Sequence, residues 1–165
     1  MQSSIDSIRN APVRLRGNTF DDFHEGQVFD HHWGRTLTEA DATLFATTTL
    51  QANPAYFNAE YARRRGHAAM LLPPMLVFAV VFGLSVEDLS ERGGAFLGVE
   101  DLSFAKPVHA GDTLTARSTV AGLRPSRSDP DYGIATWHTE GFDQHGERVI
   151  AFRRSNLVIR RAAAG

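Results

Sequence analysis

The sequence contains no cysteine, so disulfide bonds, thiolate catalysis and cysteine-based metal sites are all excluded. Lysine is almost as scarce, because Lys106 is the only one and the other basic residues are arginines. The net charge of −2 and the isoelectric point of about 6.4 show no basic excess of the kind that nucleic-acid-binding domains carry. We therefore expect no nucleic-acid partner, and any phosphate or carboxylate must be bound mainly by arginine.

A long uninterrupted hydrophobic run is also missing. The longest apolar stretch, residues 68–83, contains Pro73 and Pro74 and is shorter than the roughly 20 residues that span a bilayer. We interpret it as a buried core element and expect no association with a membrane. The polar start of the chain lacks the apolar centre of a secretory signal, which predicts a mobile arm over residues 1–18 of a cytoplasmic protein.

What the chain does contain is enough apolar material for one domain. Of its 165 residues, 42% are hydrophobic and 22% are charged, which is the balance of a globular protein. No internal repeat and no linker divides the sequence. We therefore predict a single domain over residues 19–161.

The pattern of apolar residues and turn signals predicts an extended segment, then helices, then strands. Residues 20–35 are predicted to be extended, and Thr38 begins a capping box ahead of a short helix. Pro73 and Pro74 open a long apolar helix, since proline is tolerated in a first helical turn. The predicted helix covers residues 74–89, and the predicted strands cover 96–105, 113–123, 133–142 and 148–159.

A helix that is apolar on nearly every side must be surrounded by protein. We therefore predict an α+β fold in which an antiparallel sheet curls around this helix. Gly98 and Gly122 interrupt two of the strands and predict bulges where the sheet bends.

Several segments resemble one family, the MaoC-like hydratases. The resemblance rests on the segments Phe20–Phe29, Thr36–Asp41, Asn53-Pro54 and Phe104–Leu114. Two further segments, Phe82–Leu89 and Arg124–Ile134, resemble the subfamily of mesaconyl-CoA hydratases and β-methylmalyl-CoA dehydratases. The resemblance implies a hotdog fold, usually assembled as a dimer, that acts on acyl-CoA or carrier-bound acyl thioesters. It implies no metal and no redox cofactor.

The loop around Asn53-Pro54 departs from the family pattern. R-specific hydratases of this family have Asp two residues before the Asn-Pro pair and His two residues after the Pro, and here these positions are Gln51 and Tyr56. An amide cannot accept a proton near neutral pH. The phenol has an unperturbed pKa of about 10, so using it as a base near pH 7 would cost about 4–5 kcal/mol. The resemblance therefore implies Tyr56 as general acid, with Gln51 and Asn53 positioning water or substrate, or a loop that is only structural.

Substrate contacts are predicted at the helix start and at three polar residues. Because Pro74 cannot donate, the N–H of Met75 or of the residue after it would polarise a thioester carbonyl, unless the prolines only stiffen the helix start. Arg65 ends a run of three arginines that either holds CoA phosphates or faces solvent. Arg124 and Ser126 hold an acyl carboxylate, order the pocket wall, or lie in an exposed hairpin loop.

The histidines show no metal-ligand spacing, so no metal site is predicted. His31 and His32 are neighbours in a predicted strand and should point to opposite faces. His67 lies between the loop and the helix start, which makes it the best substitute base, although a surface histidine is the simpler interpretation.

Three function hypotheses follow. The first is a hydratase or dehydratase acting on a short branched or dicarboxylic enoyl thioester. The second keeps the thioester pocket but changes the reaction to isomerisation, cyclisation or another tailoring step. The third is a non-catalytic acyl-binding or structural subunit that is paired with an active paralogue. For the enzyme we expect a homodimer or a higher homo-oligomer.

Overall fold

The computed structural model describes residues 16–163, so most of the predicted arm over residues 1–18 lies outside the described part of the chain. The elements in chain order are β1 (Val28–Asp30), β2 (Arg35–Thr36), α1 (Glu39–Thr48), α2 (Ala59–Arg64), α3 (Pro74–Leu84), α4 (Val86–Leu89), β3 (Phe96–Phe104), β4 (Thr113–Pro125), β5 (Tyr132–Phe142) and β6 (Arg148–Ile159). Short 3₁₀ turns cover Phe20–Asp22, Pro54–Tyr56 and Arg161–Ala163. The four long strands and α1 lie at their predicted positions, and α3 begins where it was predicted to begin.

Within residues 16–163 the strands form one antiparallel sheet in the order β1-β4-β5-β6-β3, and β2 also pairs with β4. One face of β5 is buried at every second residue, as period-two alternation requires, and this face packs against α3. The predicted curved sheet on a helix is confirmed.

The register of the sheet shifts at four places among residues 16–163, and two of these shifts lie at the strand glycines that predicted bulges. In β4 the register shifts between Val120 and Gly122, and in β3 it shifts between Phe96 and Gly98. A bulge inserts one residue on one side of a ladder and so exchanges the faces on which the following residues lie. Val120 lies on the helix-facing side, and Gly122 and Arg124 lie on the outer side.

The prediction of one extended segment over residues 20–35 is wrong. Phe20–Asp22 forms a 3₁₀ turn, and Gly26 adopts a φ of +80° in a second turn before the short strand β1. Phe20 and Phe23 are buried by these turns against Trp137 and Leu89. The apolar residues of this segment thus serve a second core cluster rather than a continuous strand.

The central helix α3 starts at Pro74 and packs four residues against the sheet, namely Leu76, Val77, Val80 and Val81. It ends at Leu84, and the predicted last turn is a separate short helix, α4. At the junction the Ser85 hydroxyl donates to the Phe82 carbonyl at 2.7 Å. The expectation that protein surrounds the helix is not met by one copy of the chain, because Met75, Ala79 and Gly83 remain exposed.

Candidate active site

The loop between α1 and α2 is shaped by two asparagine side chains. Asn53 Oδ1 accepts a hydrogen bond from the Ala55 N–H at 3.1 Å and so caps the 3₁₀ turn Pro54–Tyr56. Asn58 Oδ1 accepts from the Tyr61 N–H at 3.0 Å and caps α2. The Asn53 carbonyl oxygen is therefore used to hold the loop, and its amide NH₂ is the part that can face a ligand.

Gln51 and Tyr56 lie on different parts of this loop. The Gln51 amide donates to the Thr49 hydroxyl at 3.0 Å, and its side chain lines a cleft of about 190 Å³ together with Leu50 and Phe57. Tyr56 is half-buried. Among residues 16–163 no group hydrogen-bonds to its hydroxyl, which leaves the phenol free to donate to a ligand.

Backbone hydrogen bonds attach the loop to the start of α3. The Leu71 N–H donates to the Ala55 carbonyl at 3.1 Å, directly beside Tyr56, and the Leu72 N–H donates to the Val108 carbonyl at 2.9 Å. Leu71 also pairs with His109 in an isolated antiparallel bridge. The loop, the helix start and the segment around His109 are thus held together by the main chain.

This arrangement brings two histidines into contact. Nδ1 of His67 lies 3.2 Å from Nε2 of His109, and both rings are half-buried. Burial lowers the pKa of His109, and the nearby His67 and Lys106 lower it further, while Asp112 opposes them. Near neutral pH His109 is therefore an uncharged imidazole, and one ring of the pair donates the shared hydrogen bond to the other. The sequence identified His67 as a substitute base but gave no sign of its partner.

A mostly apolar cleft of about 300 Å³ opens beside the helix start. Its lining includes Leu71, Pro74, Val77, Phe104 and Lys106. The Lys106 ammonium is paired with Asp143 at 2.6 Å and with Glu147, and these contacts raise its pKa. Its charge is therefore already neutralised by the protein. The cleft therefore suits the carbon skeleton of a ligand better than a phosphate.

Met75 is the residue whose N–H can polarise a carbonyl at this end of α3. The Leu76 and Val77 N–H groups both donate to the Pro73 carbonyl, at 2.9 and 3.2 Å, and Pro74 has no N–H. The two candidates of the sequence prediction are thereby reduced to Met75 alone, whose side chain is 44% exposed.

The remaining predicted site residues lie apart from the loop. Arg65 is exposed and stacks on the Tyr61 ring, with its guanidinium carbon 5.4 Å from the ring centre. Ser126 accepts a hydrogen bond from the Asp129 N–H at 3.2 Å inside the β4–β5 turn. Arg124 lies on the outer face of the sheet, in a groove described below. For Ser126 the hairpin-loop interpretation describes the observed contacts.

Sequence reasoning missed a buried polar network beneath α4. His31 Nδ1 lies 2.6 Å from Asp88 Oδ2, His31 Nε2 lies 2.8 Å from Ser118 Oγ, and Ser118 Oγ lies 2.8 Å from Thr139 Oγ1. The order Asp–His–Ser is that of a hydrolase triad, but Ser118 is completely buried and no substrate can reach it. The network is therefore structural. Burial lowers the pKa of His31, and Asp88 opposes this effect.

Arg154 is the other missed residue. It is 1% exposed, and its guanidinium carbon lies 4.3 Å from the Phe82 ring centre and 5.3 Å from that of Trp137. Its Nη2 donates to the Ser85 carbonyl at 3.3 Å, at the C-terminal end of α3. Burial lowers its pKa to about 10. The alternation of buried residues along β6 is the signal that would have placed this arginine on the core face.

Residues 16–163 contain no group of three His, Asp or Glu side chains that could bind a metal ion. No helix in this range is both long and apolar enough to cross a bilayer.

Comparison with known proteins identifies one family. A family model described as mesaconyl-CoA hydratase matches residues 3–165. The mesaconyl-CoA hydratase of Haloarcula marismortui is 42% identical over 163 residues, which are 98% of this chain and 46% of that protein. This chain spans about half the length of the curated relatives it matches first.

Solved structures agree with this result. A MaoC domain dehydratase from Chloroflexus aurantiacus superposes with a TM-score of 0.83 and 32% identity, over 91% of this chain and 43% of that one. A Mycobacterium tuberculosis protein with a double hotdog fold superposes with a TM-score of 0.78 and 28% identity, over 90% of this chain and 46% of that one. The fold is a hotdog fold, as the resemblance implied.

Proposed function

Since the chain belongs to the mesaconyl-CoA hydratase family of MaoC-like proteins, we propose that it adds water to, or removes water from, a short acyl-CoA thioester. The acyl group is a branched or dicarboxylic enoyl chain in this proposal. The observation that carries it is the contact between His67 and His109 beside the loop, because it supplies the base that the loop itself lacks.

Hydration of an enoyl thioester requires a base for water, an acid for the α-carbon and a donor for the carbonyl oxygen. In the proposed mechanism the His67–His109 pair accepts a proton from water, and the oxygen of that water bonds to the β-carbon. The Tyr56 hydroxyl gives its proton to the α-carbon. The Met75 N–H donates to the thioester oxygen while negative charge develops there.

The proton balance closes within the site. The imidazolium formed on the histidine pair returns its proton to the Tyr56 phenolate, directly or through water, and the enzyme regains its starting state. Tyr56 is assigned as the acid because its ordinary pKa of about 10 makes it a poor base near pH 7. The reaction so written needs neither a metal ion nor a redox cofactor.

We propose a homodimer as the functional form. Strand β3 is an edge strand of the sheet and carries exposed Phe96, Leu97 and Phe104, at 52%, 48% and 40% exposure. Unprotected apolar edges of this kind pair readily with another strand. Pairing of two copies along β3 would also bring the uncovered side of α3 close to the partner.

The predicted cytoplasmic location stays a prediction.

A second candidate is another reaction on the same class of thioester, such as isomerisation or cyclisation. The observation that favours it is the Gln51 contact with Thr49, which fills the position where the family holds a carboxylate. A tyrosine acid without a nearby carboxylate is compatible with reactions in which no water is added. The third hypothesis, a non-catalytic acyl-binding subunit, requires that the loop side chains have no chemical role.

The deciding experiment incubates the purified chain with mesaconyl-CoA and crotonyl-CoA and follows enoyl-thioester absorbance and product mass. A product heavier by one water supports the hydratase. A product of unchanged mass supports the second candidate. Acyl-CoA binding without turnover, unchanged in Gln51→Ala and Tyr56→Phe, supports the third and contradicts the first.

A further inference from the structure

The outer face of the sheet, opposite α3, carries a groove of about 540 Å³ that no step of the proposed reaction uses. A row of small residues runs across four strands here, and Thr136, Ser155 and Gly98 of this row form the floor of the groove. Gly122 of β4 pairs with Thr136 of β5, Thr136 pairs with Ser155 of β6, and Ser155 pairs with Gly98 of β3. Three inter-strand spacings give the row a length of about 14 Å.

Gly98 keeps one end of this groove open. It does not adopt a positive φ, so the backbone does not require glycine at this position. A Cβ built on Gly98 meets no atom of residues 16–163 within 4 Å, so a side chain there would stand in the groove itself. Beside Gly98 the Thr136 and Ser155 hydroxyls lie 2.7 Å apart and form a polar floor.

Two guanidinium groups lie on opposite long walls of the groove. Arg124 comes from β4 beside Ile134, and Arg153 comes from β6. Within residues 16–163 Arg124 has no carboxylate within 4.0 Å. Arg153 has Asp101 at 4.0 Å, and its Nε–H is buried without an acceptor in the described part of the chain. Strands β4 and β6 are two spacings apart, about 10 Å, so a single small anion cannot satisfy both walls.

The remaining lining indicates what lies between the two positive groups. Glu100 offers an acceptor for ligand hydroxyl groups, and Ile134 and Leu97 offer apolar surface. Guanidinium groups bind phosphate oxygens through paired hydrogen bonds. A molecule that combines a hydroxylated sugar, a flat apolar ring and terminal phosphate would match the chemistry of all these lining residues.

We infer that this outer groove binds an elongated organic phosphate of the nucleoside-phosphate class, with Arg124 and Arg153 on its phosphate oxygens and Thr136 and Ser155 on its polar middle. The site lies on the opposite face of the sheet from Tyr56 and does not depend on the proposed hydratase reaction. Two sources carry this chemistry, namely a free nucleotide and the nucleotide end of CoA.

Isothermal titration of the full chain with AMP, adenosine 3′,5′-bisphosphate, CoA and inorganic phosphate tests the inference. We expect at least one nucleotide to bind more tightly than inorganic phosphate, and its affinity to fall 10-fold or more in Arg124→Gln and in Arg153→Gln. Gly98→Val, which narrows the groove with a strand-favouring residue, should weaken binding similarly. Arg117→Gln is the matched control, because Arg117 is on the same outer face but outside the groove and is paired with Asp30.

Thermal melting of each variant shows that the fold is retained. Failure of every nucleotide to bind at millimolar concentration overturns the inference, as does binding that is equally sensitive to Arg117→Gln. Inorganic phosphate binding as tightly as the nucleotides also overturns it, because the groove would then hold only a bare anion. Preference for CoA over the shorter nucleotides identifies CoA as the source. Enoyl-thioester turnover is measured separately, so its absence in the native chain contradicts only the hydratase proposal.

Discussion

Nδ1 of His31 lies 2.6 Å from Oδ2 of Asp88, and this contact joins the segment after β1 to helix α4. The imidazole is buried, and its other nitrogen faces the Ser118 hydroxyl. The end of the central helix is thus attached to the sheet by a buried polar chain rather than by apolar packing alone.

The pH dependence of stability should reflect this buried histidine. Burial holds the pKa of His31 below its ordinary value near 6.5, so the unfolded chain binds the extra proton more readily than the folded one. Stability is therefore full above about pH 6.5 and falls as the pH drops below it. We expect the melting temperature to decrease between pH 7 and pH 5.

Replacement of His31 should reduce the decrease in melting temperature between pH 7 and pH 5. His31→Gln removes the titrating group, whereas His32→Gln, at the exposed neighbouring position, should leave the acid decline intact. Melting curves at half-unit pH intervals measure the effect. An identical acid decline in His31→Gln and the native chain would assign the pH dependence to other groups.

Arg154 allows the effect of a buried charge to be separated from that of side-chain volume. Arg154→Ala should lower the free energy of unfolding by about 2–4 kcal/mol, because it leaves a cavity between Phe82 and Trp137. Arg154→Met keeps most of the volume and removes an incompletely paired charge, so we expect a change within about 1 kcal/mol. Urea unfolding measures both. An equal loss in the two variants would show that the charge itself holds the end of α3.

Tyr56→Phe removes the proposed acid without changing the shape of the loop. We expect kcat for enoyl-thioester hydration to fall by about 100-fold or more with little change in KM, which is the usual range for a lost acid–base group. Tyr61→Phe is the matched control, because its hydroxyl contacts only Arg65 among residues 16–163. Full activity in Tyr56→Phe would remove the phenol from the mechanism.

The base should be visible in the pH–rate profile. A base must be uncharged to act, so kcat/KM should rise with pH along an acid limb whose midpoint lies below pH 6.5, since the pKa of His109 is lowered. His67 is one of the groups that lower the pKa of His109, so the acid limb should move to higher pH in His67→Gln. His145→Gln, in the exposed turn between β5 and β6, serves as the control. An acid limb that does not move in His67→Gln argues against the pair.

Gly94 and Gly93 offer a test of backbone packing. Gly94 adopts a φ of +114°, and an added Cβ would lie 2.0 Å from the Leu157 carbonyl oxygen, so Gly94→Ala should cost more than about 2 kcal/mol. Gly93 also has a positive φ, but a Cβ there meets no atom of residues 16–163 within 4 Å. Gly93→Ala should therefore cost only the backbone strain, about 1 kcal/mol. Parallel urea titrations compare the two, and equal losses would contradict the packing argument.

The fold was predictable because its signals are local. The prolines before α3, the Thr38 capping box and the alternation in β5 each depend on a few neighbouring residues. The prediction failed for the segment after Phe20, because turns bury its phenylalanines. A short apolar run does not distinguish a strand from a turn that reaches the core.

The site was only partly predictable because it is assembled by long-range pairing. The contact between His67 and His109 depends on the bridge from Leu71 across nearly forty residues, which no local pattern reveals. Arg124 could be chosen as a ligand-binding residue from the resemblance. The face of the sheet on which Arg124 lies depends on one bulge. Alternation counted along the sequence gives the wrong face, because the inserted residue cannot be recognised from the sequence.

That bulge also bears on how proteins of this family can diverge. Ala121 is the inserted residue, because Val120 pairs with Trp137 and Gly122 pairs with the next residue of β5, Thr136. Loss of its single codon would make the pairing regular and would leave Leu123 facing the helix and Arg124 on the outer surface. A one-residue deletion at this point can therefore remove the bend of the strand while each surface keeps its side chains, whereas a deletion elsewhere in the strand would exchange the two faces.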